Sequence, residues 1–190
     1  EEMAVEAERD HMLRGDPINL SENRAVLHTA LREGADAGID ISKDVADTLI
    51  RMFEISEHIR SGVWRGHTGT PITDVVHIGI GGSHLGPDLV VSAMPKQART
   101  GPRIHFAANI DGNELFPILA ELNPETSLFI VASKSFTTLE TQVNAQSARA
   151  WFLERTCSLS AIAQHFLAVT TNIEAATKFG LPEQNLLPMR

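Results

Sequence analysis

A single cysteine, Cys157, occurs in the whole sequence, so no disulfide can form within the chain, and such usage fits a reducing cytoplasm. It stands in Glu154-Arg155-Thr156-Cys157-Ser158-Leu159, at what reads as a helix end with no histidine nearby in sequence. A catalytic thiol is therefore disfavoured. Basic charge is also scarce: 16 Lys and Arg against 24 Asp and Glu leave a net charge of -8. That balance argues against broad binding to nucleic acid or an anionic membrane, because affinity for a phosphate backbone needs many cations on one face. Any anion site must be local. No run of about 18 apolar residues occurs, and the opening Glu1-Glu2-Met3-Ala4-Val5-Glu6 is acidic, unlike a secretory leader. Membrane spanning and export are both disfavoured, which leaves a cytoplasmic setting as the expectation. The eight histidines show no metal-ligand spacing. Trp64 and Trp151 read as packing residues, since no basic residues interleave with aromatics as on a nucleic-acid stacking platform.

What is present is enough for one ordinary domain: 190 residues, of which 43% are hydrophobic and 21% charged. Residues 1 to 20 are polar and mixed, and Gly15-Asp16-Pro17 closes whatever short helix precedes it. Ser21 offers an N-cap to a helix over Glu22 to Glu33, stopped by Gly34. A second helix is expected from a cap at Ser42, with Val45, Leu49, Met52, Phe53 and Ile59 on one apolar stripe and Ser61-Gly62 ending the run. From Thr73 the period changes. Val75 to Ile80, Ile104 to Ala107, Leu128 to Ala132 and Phe166 to Thr170 read as buried strands. Helices are expected between and after them, over Leu85 to Met94, Glu114 to Leu122, Thr138 to Leu153 and Ile173 to Phe179. This alternation predicts an α/β fold, a doubly wound parallel sheet with helices on both faces, preceded by N-terminal helices. The boundary falls near residue 70, giving a helical segment over 1–70 and an α/β domain over 71–190.

In such a sheet, ligands bind beyond the carboxyl ends of the strands, which directs attention to two turns. Gly79-Ile80-Gly81-Gly82-Ser83-His84-Leu85-Gly86-Pro87 leaves a strand and opens a helix. Its glycines permit positive φ and close approach of backbone to an anion, and Ser83 adds a hydroxyl where helix-start amides converge. A tight turn without a ligand needs the same glycines. A dinucleotide fingerprint would require glycine where His84 stands, and no Gly-Lys-Ser/Thr follows to make a nucleoside-triphosphate loop. Asp111, in Asn109-Ile110-Asp111-Gly112, reads as a turn and helix start rather than as a ribose-binding acid. The second turn, Ser133-Lys134-Ser135-Phe136-Thr137-Thr138, sets four hydroxyls around one lysine at a helix start, which suits a phosphate dianion. Simple helix capping by Thr137 or Thr138 is the plainer use. His77 and His105 lie inside strands and read as hydrogen-bonded core residues. Arg51, Glu54, Glu57 and Arg60 read as a solvated helix face, and no pair of carboxylates stands out as an acid-base couple.

Both turns, in order with their surroundings, resemble the glucose-6-phosphate isomerase family. Its glycine-turn pattern appears as Ile80-Gly81-Gly82-Ser83-His84-Leu85-Gly86-Pro87, with His84 in place of aspartate. Its hydroxyl loop appears as Ser133-Lys134-Ser135-Phe136-Thr137-Thr138, with Ser135 in place of threonine. Ile18-Asn19, Glu22 through His28, Trp64 through Gly69, Ile72 through Val76 and Asn109 through Gly112 extend the resemblance over nearly the whole chain. The resemblance implies an SIS-type phosphosugar-binding domain whose phosphate contacts are Gly82, Ser83, Ser133, Lys134, Ser135, Thr137 and Thr138. It implies interconversion of glucose 6-phosphate and fructose 6-phosphate in glycolysis and gluconeogenesis, with no metal or organic cofactor, in the cytoplasm and as a homodimer. It further implies that family members begin before Glu1 and that the groups moving the proton lie beyond the point matching Arg190. No catalytic residue is then expected in this chain, and the chain alone is expected to be inactive. A regulatory module that binds phosphosugars without catalysis is the alternative.

Overall fold

The computed structural model describes residues 4–29, 32, 42–94 and 101–189. Its contacts divide the chain into a first unit running to Phe53 and a second over Glu54–Met189.

The first unit begins with helix α1, Val5–Leu13, which buries none of its side chains. Gly15, at φ 77°, turns the chain after it, as the Gly-Asp-Pro signal implies. The helix expected from Glu22 does not form over residues 22–29, which are turns, an isolated bridge at Arg24 and irregular chain; residues 30, 31, 33 and Gly34 lie outside the described residues. The reason is local competition. Asn19 Oδ1 accepts from Ser21 Oγ at 2.8 Å and from the Glu22 amide at 3.3 Å, while Asn19 and Arg24 exchange two backbone hydrogen bonds. The Ser21 hydroxyl is thereby engaged with Asn19, and a side-chain turn of this kind offers the backbone an alternative to helix. Helix α2, Ser42–Arg60, follows, and the division between units falls within it. Its expected stripe is only partly buried. Leu49, Met52 and Phe53 are exposed, whereas Ile55 and Ile59 pack against sheet residues.

Among the described residues, the second unit holds, besides the end of α2, five strands and five α-helices. In chain order they are β1 (Asp74–Ile78), α3 (Gly82–Ala93), β2 (Arg103–Ala107), α4 (Gly112–Glu121), β3 (Ser127–Ala132), α5 (Leu139–Thr156), a short α6 (Ile162–His165), β4 (Phe166–Thr170), α7 (Ile173–Phe179) and β5 (Leu186–Pro188). All pairings are parallel and the order is β2-β1-β3-β4-β5. The predicted doubly wound parallel sheet is therefore present. Three described elements escaped sequence reading: β5 is three residues long and ends in proline, α6 is a single turn, and Glu183–Asn185 is a single 3-10 turn.

Strand side chains alternate between the two faces. Val76, Ile78, Phe129, Val131, Phe166, Ala168 and Leu186 build the larger core with Leu115 and Leu119 of α4, Ala145, Ala148 and Phe152 of α5, and Phe179 of α7. On α5 the buried positions Thr141, Asn144, Ala145, Ala148, Trp151 and Phe152 recur at three and four residues, one stripe of a helix. Phe129 and Phe166 stack at 4.7 Å between ring centres. Val75, Leu128 and Leu167 point to the opposite face, toward Ile55, Ile59, Trp64 and Ile72.

Two buried polar clusters fasten the sheet away from its carboxyl ends. Asp74, 2% exposed, receives hydrogen bonds from Thr73, Arg103 and His105. Its burial would raise its pKa, but those three donors together hold the carboxyl below its usual value. His165, fully buried, donates from Nδ1 to the Ser127 carbonyl at 2.7 Å and accepts the His67 amide proton on Nε2 at 3.0 Å.

Candidate phosphate-binding site

Because β2 lies on one side of β1 and β3 on the other, the connections leaving β1 and β2 cross the sheet in opposite senses, and β1 and β3 are neighbours at its switch point. A crevice for ligands opens at the carboxyl ends of such strands. The two turns singled out in the sequence are the ones that leave β1 and β3.

The first turn needs its glycines for two separate reasons. Gly81 is the N-cap of α3 at φ 59° and ψ -126°, a conformation essentially reserved to glycine. Gly79 lies where the two strand ends meet: a Cβ there would stand 2.8 Å from the Ser83 oxygen and 3.0 Å from the Ala132 oxygen. Gly82 and Ser83 are the first two residues of α3; the Ser83 amide donates to the Ile80 carbonyl at 3.1 Å, while the Gly82 amide stands at the helix start, where no intrahelical acceptor exists. His84 packs edge-on against Phe106 at 5.5 Å, its Nδ1 buried without a hydrogen-bond partner and its Nε2 4.0 Å from Asp88. His77, on β1, donates from Nε2 to the Ser83 carbonyl at 2.6 Å. Burial pushes the His77 pKa down; the bond to Ser83 opposes this, and the neighbouring His84 adds to it.

The second turn is braced from within and from the next strand. Ser133, 3% exposed, accepts the Phe136 amide proton on Oγ at 3.1 Å and pairs with Thr138 Oγ1 at 3.3 Å. Thr138 is the N-cap of α5, yet it makes no side-chain capping bond, so plain capping is not how its hydroxyl is used. Ser135 Oγ accepts from the Thr137 hydroxyl at 2.8 Å and the Thr137 amide at 3.2 Å. Phe136, a non-glycine residue at φ 54°, is held in that conformation by burial beside Phe179 and by Gln142, which donates to its carbonyl. The buried phenyl anchors the loop while Lys134, Ser135 and Thr137 stay exposed.

Sequence reasoning missed the segment after β4. The Lys134 carbonyl accepts from the Thr171 amide and from the hydroxyls of Thr170 and Thr171 at 2.8 to 3.0 Å, and Asn172 Nδ2 donates to the Ser135 carbonyl at 3.0 Å. Asn172 also caps α7 through the Ala175 amide. The available signal was positional: Thr170-Thr171-Asn172 follows a strand in the same parallel sheet. An open hollow of about 560 Å³ is lined by Ser135, Thr137, Thr171, Asn172, Ile173 and Glu174. Its carboxylate, Glu174, is paired with Lys178 at 2.6 Å.

Other sequence-level candidates take structural places. Asp111 is the N-cap of α4, accepting from the Asn113 amide at 2.9 Å. His105 is bonded to Asp74, Trp151 is in the core, and Trp64 donates to the Gln164 carbonyl. Cys157 is the left-handed C-cap of α5 and is exposed. Among the described residues, no group of three or more His, Cys, Asp or Glu is placed to hold a metal ion, and no helix is long and apolar enough to cross a membrane.

Comparison with known proteins gives a consistent match along the chain. The profile of the phosphoglucose isomerase family matches residues 1–190. A glucose-6-phosphate isomerase of Methylococcus capsulatus is 50% identical over 191 residues, 98% of this chain and 35% of the relative. One from Pseudomonas aeruginosa is 50% identical over 94% of this chain and 33% of its own length. The crystal structure of a glucose-6-phosphate isomerase from Chlamydia trachomatis aligns with a TM-score of 0.70 at 31% identity, over 96% of this chain and 34% of that one. A hypothetical protein from Thermus thermophilus shares the fold at a TM-score of 0.60 and 22% identity. The chain spans about a third of the length of the isomerases it matches.

Proposed function

Since the chain belongs to the phosphoglucose isomerase family, we propose that it is the phosphate-gripping part of an enzyme interconverting glucose 6-phosphate and fructose 6-phosphate. The observation that carries this reading is the convergence of two helix-opening turns at adjoining strand ends, Gly79–Ser83 after β1 and Ser133–Thr138 after β3. A sugar phosphate supplies a dianion. Helix N-termini offer it amide donors and a favourable dipole, the hydroxyls offer further donors, and Lys134 offers full charge. The contacts are Gly82, Ser83, Ser133, Lys134, Ser135, Thr137 and Thr138, all within residues 71–190, which we take as the phosphosugar-binding domain.

Proton transfer between the two sugar carbons needs an acid-base group near neutral pKa poised at the substrate. We assign that task to residues in the remainder of the family's length, so this chain binds substrate without turning it over. A cytoplasmic homodimer is part of the same proposal, its oligomeric state testable by sedimentation of the full-length protein. The names of the relatives favour an enzyme over a sensing module.

Calorimetric titration of glucose 6-phosphate into the chain is the test. Lys134→Ala and Ser133→Ala should each weaken binding by roughly tenfold or more, the scale of one charge-assisted hydrogen bond. Unchanged affinity in both variants would overturn the site, and rapid conversion of fructose 6-phosphate by the chain alone would overturn the division of labour.

A further inference from the structure

The hydrogen-bond ladder of α3 has a gap beside the proposed phosphate site. In an α-helix the carbonyl of residue i accepts from the amide of residue i+4. For Ser83, in the first turn of α3, that residue is Pro87, which lies inside the helix and has no amide proton. A desolvated carbonyl without a donor is costly, so the helix needs a proton from elsewhere.

His77 provides it. Its Nε2 stands 2.6 Å from the Ser83 oxygen, and because a carbonyl only accepts, Nε2 carries the hydrogen. The imidazole comes from β1, six residues earlier, and its ring rests against Phe106 at 5.6 Å between centres. Phe106 in turn supports His84, the residue that follows Ser83. On the strand side of the same oxygen sits Gly79, whose lack of a side chain leaves the close approach open. One carbonyl is thus bracketed by a glycine and an imidazole.

We propose that His77 is a positioning residue: it replaces the amide that Pro87 removes from α3, and so fixes the backbone that aims the Ser83 hydroxyl and the Gly82 amide at the phosphate. The inference rests on the reading of the glycine turn as a phosphate site. Pro87 then has a purpose as well. By leaving the Ser83 carbonyl to a side chain from the sheet, it ties the first turn of α3 to β1 instead of to the rest of its own helix.

A rescue experiment separates this role from general packing. Glucose 6-phosphate affinity is measured by calorimetry for the unaltered chain, His77→Phe, Pro87→Ala and the double variant His77→Phe/Pro87→Ala. His77→Phe keeps the ring packing but loses the donor, and affinity should fall roughly tenfold. Pro87→Ala should bind within about threefold of the unaltered chain, and the double variant should recover most of the loss, because residue 87 again donates to Ser83. A double variant as weak as His77→Phe, or a His77→Phe variant that binds normally, overturns the proposal. Ser83→Ala and Lys134→Ala run in parallel keep the two readings apart. If both weaken binding while His77→Phe does not, the positioning role fails and the phosphate site stands; if neither weakens binding, the site itself fails. Should His77→Phe not fold, the nitrogen NMR shifts of His77 in the unaltered chain decide: a proton on Nε2 supports the bond to Ser83, and a proton on Nδ1 overturns it.

Discussion

Acidification should weaken the fold through one side chain, His165. Its ring is fully buried, and both nitrogens are committed: Nδ1 donates to Ser127, and Nε2 accepts from the His67 amide and faces His67 Nδ1 at 2.9 Å. A second proton would have to go on Nε2, destroying the acceptor. Burial accordingly pushes the pKa down to about 4; the bond to Ser127 works the other way and His67 adds to the depression. In the unfolded chain the same ring titrates near 6.5, so the unfolded state binds the proton first. Stability from this group is complete above about pH 6.5 and drains as pH falls toward about 4. With each pKa unit worth about 1.4 kcal/mol, the loss comes to about 2 kcal/mol at pH 5 and about 3 kcal/mol at full protonation. Urea unfolding of the unaltered chain and of His165→Gln at pH 7.5 and pH 5 isolates the contribution from the other histidines. The variant should be less stable at pH 7.5, and the gap should narrow by about 2 kcal/mol at pH 5. A gap of the same size at both pH values would refute the reasoning. If His165→Gln does not fold, NMR titration of the His165 ring in the unaltered chain serves instead, and a midpoint above 6 would be equally damaging.

Gly81→Ala should destabilise the chain by about 1–3 kcal/mol, since φ 59° with ψ -126° strains any residue with a Cβ; thermal unfolding reads the stability, and calorimetry should show weaker glucose 6-phosphate binding. Asn172→Ala removes both the α7 cap and the brace on the Ser135 carbonyl, so a loss of about 1–2 kcal/mol is expected. Its effect on sugar-phosphate affinity should be smaller than that of Lys134→Ala, because Asn172 acts on the loop backbone. Phe152→Ala, in the middle of the larger core and fully buried, should cost about 3–5 kcal/mol in denaturant unfolding.

The four longer strands and five of the helices were legible because each is a local pattern: a β-branched or aromatic run between turn signals, or an apolar period near 3.6. The failures are equally local in origin. Ser21 looked like a cap, but Asn19 two residues earlier competed for the same hydroxyl and backbone. Val45, Leu49, Met52, Phe53 and Ile59 of α2 were read as one apolar stripe, yet of these Ile59 packs on the sheet while Leu49, Met52 and Phe53 are exposed. Periodicity states which residues share a face and not what covers it. Strand β5 has three residues, too few for any period.

Residue chemistry along the chain was sufficient to pick out the glycine turn and the hydroxyl-rich loop around Lys134, because glycine, serine, threonine and lysine carry their donor groups and backbone freedom wherever the chain goes. Only the tertiary structure decided that the two turns are neighbours. They lie some fifty residues apart, with β2 and α4 between them, and they meet because β2 adds to the far side of β1 and leaves β3 beside it. The same holds for the braces Thr170, Thr171 and Asn172, which reach the Lys134 loop because β4 pairs with β3. Those depend on which hydrogen-bonded partner each strand takes, a long-range choice that no window of local sequence contains.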